Sequence, residues 1–323
     1  MFISVLICTR DRAERLGQVL SSLLRPGNLE SQDWEVLVVE SSTDRTGEVC
    51  EEFRLKFPRH FRFVREERLG KSIALNTAIA AARGDVLAFI DDDVICASDY
   101  VEGIRSVFDT QTADAVQGRV LLECEGGWPD WLGGTYALMA DVRDYGPEVI
   151  DLDGTLCGTN MIVRANVFKK VGGFATELGP GSAVGMWEDT EISLRIRKAG
   201  FRTIYAPQIL VYHPWSQTRL TRSFIRKRYF DEGRAQAYYA DLPTPLFRFG
   251  LYVVKEILRQ EAAAIWHLCA GHPAAALGCQ CEARSQAGLF WQHWLFKRGV
   301  PRRLSESLTS CNEATKRESP VAI

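Results

Sequence analysis

Several features are missing from this chain of 323 residues, and each absence narrows what it can be. There is no excess of positive charge: 39 Lys and Arg stand against 41 Asp and Glu, a formal net charge of −2. That balance argues against general nucleic-acid binding. There is no cysteine framework. Cys8, Cys50, Cys96, Cys124, Cys157, Cys269, Cys279, Cys281 and Cys311 are scattered, and only Cys279 and Cys281 lie close together. Spacing this irregular reads as reduced thiols in a cytoplasmic protein. No basic segment precedes the first apolar run, Phe2–Cys8, so no signal peptide is expected. Residues 262–281 carry no Asp, Glu, Lys or Arg, yet His267, Gly271, His272, Pro273 and Gln280 interrupt them. Those residues argue against a membrane-spanning helix. No internal repeat is visible, and no G-x-G-x-x-G follows the first apolar run, which excludes the dinucleotide-binding turn.

What is present alternates. Phe2–Cys8, Trp34–Val39, Phe61–Val64 and Val86–Ile90 read as strands, the last as one buried on both faces. Between them, Leu16, Val19, Leu20, Leu23 and Leu24 fall at helical spacing within Arg12–Leu24. Thr43 or Asp44 offers a cap for a helix through Leu55, and Ala-rich Ser72–Ala82 predicts a helix that stops at Gly84. Repeated strand–helix units imply a parallel sheet with right-handed crossovers. Past residue 113 the pattern loosens. Strands are expected at Ala115–Leu122, Leu156–Arg164 and Thr203–Tyr205, with a strand-like run at Ile209–Tyr212. Helices are expected at Ala165–Val171 and Glu188–Ala199, and Gly126–Gly146 is an irregular stretch rich in Trp and Gly. From Arg219 onward the chain reads as helical and basic, and 46% hydrophobic content suffices for a full core.

The residues suited to chemistry sit where the expected strands end. Asp91, Asp92 and Asp93 directly follow Val86–Ile90. Three crowded carboxylates raise one another's pKa, a cost that Mg²⁺ or Mn²⁺ would remove; otherwise they form a solvated acidic turn. Thr9 and Arg10 end the first strand and Glu40 the second, where a carboxylate can accept a hydrogen bond from a base or ribose. Lys71 at a helix start can hold phosphate, although the G-K-S sequence lacks the upstream glycine of a P-loop. Glu188 and Asp189 follow the glycine-rich loop 179–185; they suit the helix dipole, and one of them also suits a general base. His213 follows a strand-like run, where it is either structural, a third metal ligand or a phosphate contact.

Taken in order, Thr9-Arg10, Ser42-Thr43-Asp44, Gly70-Lys71 with Asn76, Asp91–Asp93, Gly158-Thr159-Asn160, Gly172-Gly173-Phe174, Glu188-Asp189 and His213 resemble family 2 glycosyltransferases. The resemblance covers roughly residues 2–215. It implies an α/β chain of GT-A fold, with a Rossmann-like, mixed but mainly parallel sheet flanked by helices and a C-terminal helical extension. The expected catalytic domain is 1–215, with a nucleotide-sugar half at 1–112 and an acceptor half at 113–215. A helical extension at 216–300 and a disordered tail at 301–323 would follow. By the same resemblance Thr9, Arg10 and Glu40 line a nucleoside pocket, and Lys71, Asn76, Asp91, Asp92 and Asn160 belong to the donor site. Asp93 and His213 would hold Mn²⁺ or Mg²⁺, Asp189 would be the base, and Glu188 would help to orient acceptor or donor. The family usually has Asp where this chain has Glu40, which bears on base preference; a UDP-sugar is the default donor.

The expected activity is metal-dependent, inverting sugar transfer to an acceptor hydroxyl of a glycan, a lipid-linked molecule or a small molecule. The rival readings are a nucleotidyltransferase, which would show a basic glycine-rich loop after the first strand, and an inactive sugar-nucleotide binding module, which would have lost these acids. The Arg-rich helix with Phe224, Tyr229 and Phe230, and the later segments with Trp266, Trp291 and Trp294, suit packing on the core, a homodimer, or peripheral contact with the inner membrane face.

Overall fold

A computed structural model describes residues 1–124, 127, 129, 131–132, 141–215, 219–238 and 245–300. The expected tail at 301–323, and most of the irregular stretch Gly126–Gly146, lie outside the described residues.

The first half is three strand–helix units. Strand β1 (Ile3–Thr9) is followed by α1 (Ala13–Leu23) and the short α2 (Pro26–Leu29). Strand β2 (Trp34–Glu40) precedes α3 (Thr46–Lys56), and β3 (Phe61–Arg65) precedes α4 (Lys71–Ala81). Strand β4 (Val86–Ile90) is buried along its whole length, and the two-residue β5 (Ile95–Cys96) and α5 (Tyr100–Thr110) follow. Then come β6 (Ala115–Cys124), β7 (Ile150–Asp151), β8 (Asn160–Arg164), α6 (Ala165–Val171), α7 (Glu188–Lys198) and β9 (Thr203–Trp215). Three helices close the described chain: α8 (Arg222–Gln236), α9 (Leu246–Cys269) and α10 (Pro273–Lys297).

One sheet joins the strands in the order β3-β2-β1-β4-β8-β6-β9-β5, with β7 on β9. The first four are parallel, whereas β8 runs antiparallel between β4 and β6. Alternate side chains fill the two faces. Ile3, Val5 and Ile7 of β1 join the core under α1, α3 and α5, while Leu6 joins the one under α4 and α7.

Three expectations change. The single strand expected at Leu156–Arg164 begins only at Asn160. The N–H groups of Leu156, Cys157 and Gly158 are taken by the side chains of Ser193, Gln117 and Asp189, so they never enter a ladder. The separate runs 203–205 and 209–212 are one strand, β9; its register against β6 shifts between Gly118 and Arg119, where Pro207 can sit without donating to the ladder. The amphipathic α5 was not anticipated; it buries Val101, Ile104, Val107 and Phe108.

The C-terminal helices stack outward. At the crossing of α8 and α10 the backbones come so close that a Cβ on Gly233 would lie 1.8 Å from the Ser285 carbonyl oxygen, and one on Gly288 2.0 Å from that of Phe230. Only glycine allows that approach. Helix α9 packs on α10, burying Val253 and Ala264.

Candidate active site

The carboxyl ends of β1 and β4 lie side by side, since Ile7 pairs with Ile90. That edge is where parallel sheets gather ligands. The next residues of β4, Asp91–Asp93, therefore face Thr9 and the start of α1. Each carboxylate has a different set of partners.

Asp92 turns inward, accepting from Thr9 Oγ1 at 2.7 Å and from Arg12 at 2.6 Å. Burial pushes its pKa up, and Arg12 and Thr9 offset only part of that. Asp91 accepts from Lys71 Nζ at 2.6 Å and from Thr159 Oγ1 at 3.0 Å. Burial opposes its charge, but the Lys71 ammonium and its hydrogen bond, with His213 adding to them, hold the carboxyl below its usual range. Lys71 starts α4, and its Nζ also lies 3.2 Å from Glu188 Oε1. Burial works against the ammonium too; Asp91 and Glu188 together overcome it and keep Lys71 charged.

Asp93 meets three guanidinium groups. Its Oδ2 accepts from Arg15 and Arg219 at 2.9 Å each and from Arg12 at 3.3 Å. Its Oδ1 lies 3.5 Å from Nε2 of His213, which β9 delivers to the same edge. Despite burial, His213, Arg219 and Arg12 drive the Asp93 pKa down. Arg12 and Arg15 stand at the N-terminal end of α1, the wrong end of the dipole for cations. That misplaced pair is a signal in the sequence for acidic partners at this spot.

Opposite this cluster, α7 opens with Glu188 and Asp189. The residue before them, Trp187, has a φ of 76°, a left-handed conformation that costs a bulky residue roughly 1–3 kcal/mol. Asp189 Oδ2 accepts from the Gly158 N–H at 2.9 Å and Oδ1 from the Thr190 N–H at 2.7 Å. Glu188 is buried, and burial pushes its pKa up to about 7, with Lys71 pulling the other way and Asp189 adding to the rise. Both acids border a small cavity of about 10 Å³, the room of one water, between Lys71, Phe89, Gly158 and Phe174.

Thr9, Lys71, Asp91, Asp92, Asp93, Glu188, Asp189 and His213 thus converge. The other four expected residues make bonds outside this cluster. Arg10 is half exposed, and the ion partner it reaches is Asp11, Nε at 3.4 Å. Glu40 is buried, accepting from the Ser42 N–H at 2.9 Å and from Arg65 at 3.1 Å. Asn76 binds both backbone polar groups of Phe174, clasping α4 to the turn after α6. Asn160 is fully buried, accepting from the Tyr100 hydroxyl and donating to the carbonyls of Arg119 and Ile209. These three polar side chains hold the frame.

Residues 4–172 match the family described as Glycosyl transferase family 2, which is more than half of the chain. The chain belongs to glycosyl transferase family 2. Among curated proteins, it is 28% identical over 240 residues to glycosyltransferase AglE of Haloferax volcanii, covering 73% of each chain. It is 25% identical to the glucosyl-dolichyl phosphate glucuronosyltransferase of the same organism, over 72% of this chain and 75% of that one. Among solved structures, the mannosyltransferase PcManGT from Pyrobaculum calidifontis, in complex with GDP-Man and Mn²⁺, superposes with a TM-score of 0.55 at 18% identity. That match spans 97% of this chain and 79% of that one, and it shows the GT-A fold. The family 2 chain is therefore a glycosyltransferase with a nucleotide-sugar donor.

Asp189 and His213 lie beyond the matched 4–172 segment, so the family match does not reach them. The donor set of this enzyme suits a divalent cation in one respect. Asp93 Oδ1 and His213 Nε2 face each other at 3.5 Å, with an Arg219 nitrogen also 3.5 Å from Nε2. No cluster of three or more His, Cys, Asp and Glu occurs among the described residues. Mg²⁺ and Mn²⁺ commonly take one or two protein ligands and complete their shell with water and substrate phosphate, so two donors suffice.

Proposed function

We propose that this glycosyltransferase inverts the anomeric carbon of its donor in a single displacement, with Asp189 as the base. The observation that carries the reading is the clamp of Asp189 by two backbone N–H groups, from Gly158 and Thr190. The two bonds fix the orientation of the carboxylate, which faces the Asp91–Lys71 pair across the cleft. Asp189 takes the proton of the acceptor hydroxyl while its oxygen bonds to the anomeric carbon. The bond from that carbon to the diphosphate oxygen breaks, and the electron pair leaves with the nucleoside diphosphate.

Cations close to the expected diphosphate position favour that departure. Arg12, Arg15 and Arg219 converge at Asp93, and Lys71 stands at Asp91. Asp93 and His213 would hold Mn²⁺ or Mg²⁺, which when bound neutralises charge on the leaving group. Asp91 and Thr9 lie where ribose or sugar hydroxyls would meet them. The donor base is open between uridine and guanosine: the fold neighbour from Pyrobaculum holds GDP-Man, whereas GalNAc-T7, with a TM-score of 0.51 and 17% identity, holds UDP, GalNAc and Mn²⁺. The acceptor hydroxyl belongs to a glycan, a lipid-linked molecule or a small molecule. A lipid-linked one fits the dolichyl phosphate substrate named for one relative, and a polysaccharide fits the succinoglycan pathway named for another.

Thermal unfolding with UDP, GDP and dTDP, each with Mn²⁺ and with EDTA, tests this reading. Stabilisation by one nucleotide, larger with Mn²⁺, is the expected result, and it identifies the donor for a transfer assay that reads product configuration. No stabilisation by any of the three, or a product that retains the donor configuration, would overturn it.

A further inference from the structure

Helix α9 presents an apolar face to solvent. Phe247 is 74% exposed, Leu258 65% and Ile265 62%, and Leu251 and Val254 are exposed by more than half. They recur every three or four residues, or at twice that interval, so they form one stripe along the helix. The helix spans 24 residues, about 36 Å at the usual rise. Its opposite side, through Val253 and Ala264, is spent on α10. An apolar stripe of this length on a folded chain marks a surface that something covers.

Charge selects the occupant. At about 100° per residue, Arg248, Lys255 and Arg259 line one edge of the stripe, all exposed, together with the exposed rings of Tyr252 and Trp266. Residues 219–300 hold twelve Lys and Arg against six Asp and Glu, in a chain whose net charge is −2. An apolar stripe edged by cations and aromatic rings is the chemistry of a helix lying in the interface of an anionic bilayer. A second copy fits less well. Glu261 falls in the line of the stripe between Leu258 and Ile265, where a close helix partner would bury it unpaired. In the interface the carboxylate can reach headgroup water. Crossing the bilayer is excluded for α9, since no described helix is long and apolar enough.

We infer that α9 docks the enzyme on an anionic lipid surface, its stripe sunk to the acyl boundary and Arg248, Lys255 and Arg259 on the headgroups. The inference stands apart from the catalytic reading. Co-sedimentation of the full chain with vesicles of phosphatidylcholine, with and without phosphatidylglycerol, tests it. Binding is expected with the anionic vesicles, and it should weaken as salt rises. The double variant Phe247→Ser/Leu258→Ser and the triple variant Arg248→Gln/Lys255→Gln/Arg259→Gln should each bind about tenfold more weakly or worse. All five positions are exposed, so an unchanged unfolding temperature separates lost binding from lost folding. Failure to bind anionic vesicles at low salt would overturn the inference, as would full binding by both variants. A dimer in sedimentation equilibrium that Leu258→Ser dissociates, without vesicle binding, would assign the face to a second copy instead.

Discussion

The Trp187 indole donates from Nε1 to Glu232 Oε2 at 2.7 Å, and this bond ties α8 to the strained residue that opens α7. The next two residues are Glu188 and Asp189. Glu232 is half-buried, and desolvation raises its pKa, with the Trp187 bond opposing the rise. If Asp189 is the base as proposed, Glu232 would position it through the backbone at the start of α7. Glu232→Ala should lower kcat about tenfold to a hundredfold and leave donor KM nearly unchanged, because a small shift of the base costs rate more than binding. Glu232→Gln keeps an acceptor for the indole and should restore most of the rate. Equal loss in both variants would show that the charge, not the bond, matters.

Asp189→Asn retains the shape and the acceptor for the Gly158 N–H but cannot take a proton. Transfer should fall about a thousandfold or more, within the usual worth of a general base. Stabilisation by the cognate nucleoside diphosphate should persist. Transfer within tenfold of the parent would remove Asp189 as base.

The carboxyl-edge acids were legible because they adjoin strand ends in the sequence. Once Val86–Ile90 is a buried strand, Asp91–Asp93 must emerge at the edge where Thr9 also ends β1. Glu188 and Asp189 were legible as acids at a helix start. The bonds that Glu40, Asn76 and Asn160 make were not legible, because the pattern around a polar residue does not say which backbone groups lie across the fold. Asn160 is bonded to Tyr100 and to carbonyls 41 and 49 residues away. Arg219 was read only as part of a basic helix, since its partner Asp93 is 126 residues distant. The broken strand before Asn160 had the same cause: Ser193, Gln117 and Asp189 capture its N–H groups from afar.

Asp93 sits between His213 on one oxygen and three arginines on the other, so it tests how leaving-group charge is neutralised. Chelation by EDTA should lower transfer about a hundredfold, with recovery on adding Mn²⁺, and Asp93→Ala should weaken donor binding while losing that metal response. Arg219→Gln should weaken nucleoside diphosphate binding about tenfold and keep the metal response. Full activity in EDTA would mean that Arg12, Arg15 and Arg219 supply the positive charge unaided.

Glu188 gives the enzyme a pH signature. Its pKa rises from 4.5 to about 7 on folding, mainly through burial, with Lys71 holding it back. Between those values the folded chain keeps a proton that the unfolded chain has released, so stability falls as pH rises through the window. Below pH 4.5 both states are protonated and the contribution is complete; above about 7 both are ionised and it is lost. The unfolding temperature of the parent should therefore decline by several degrees between about pH 5 and pH 7.5 relative to Glu188→Gln, which has no proton to lose there. The comparison isolates Glu188, since every other titrating group is common to both proteins. Parallel curves across this range would mean that the Lys71 ammonium, 3.2 Å away, keeps Glu188 ionised throughout as a buried ion pair.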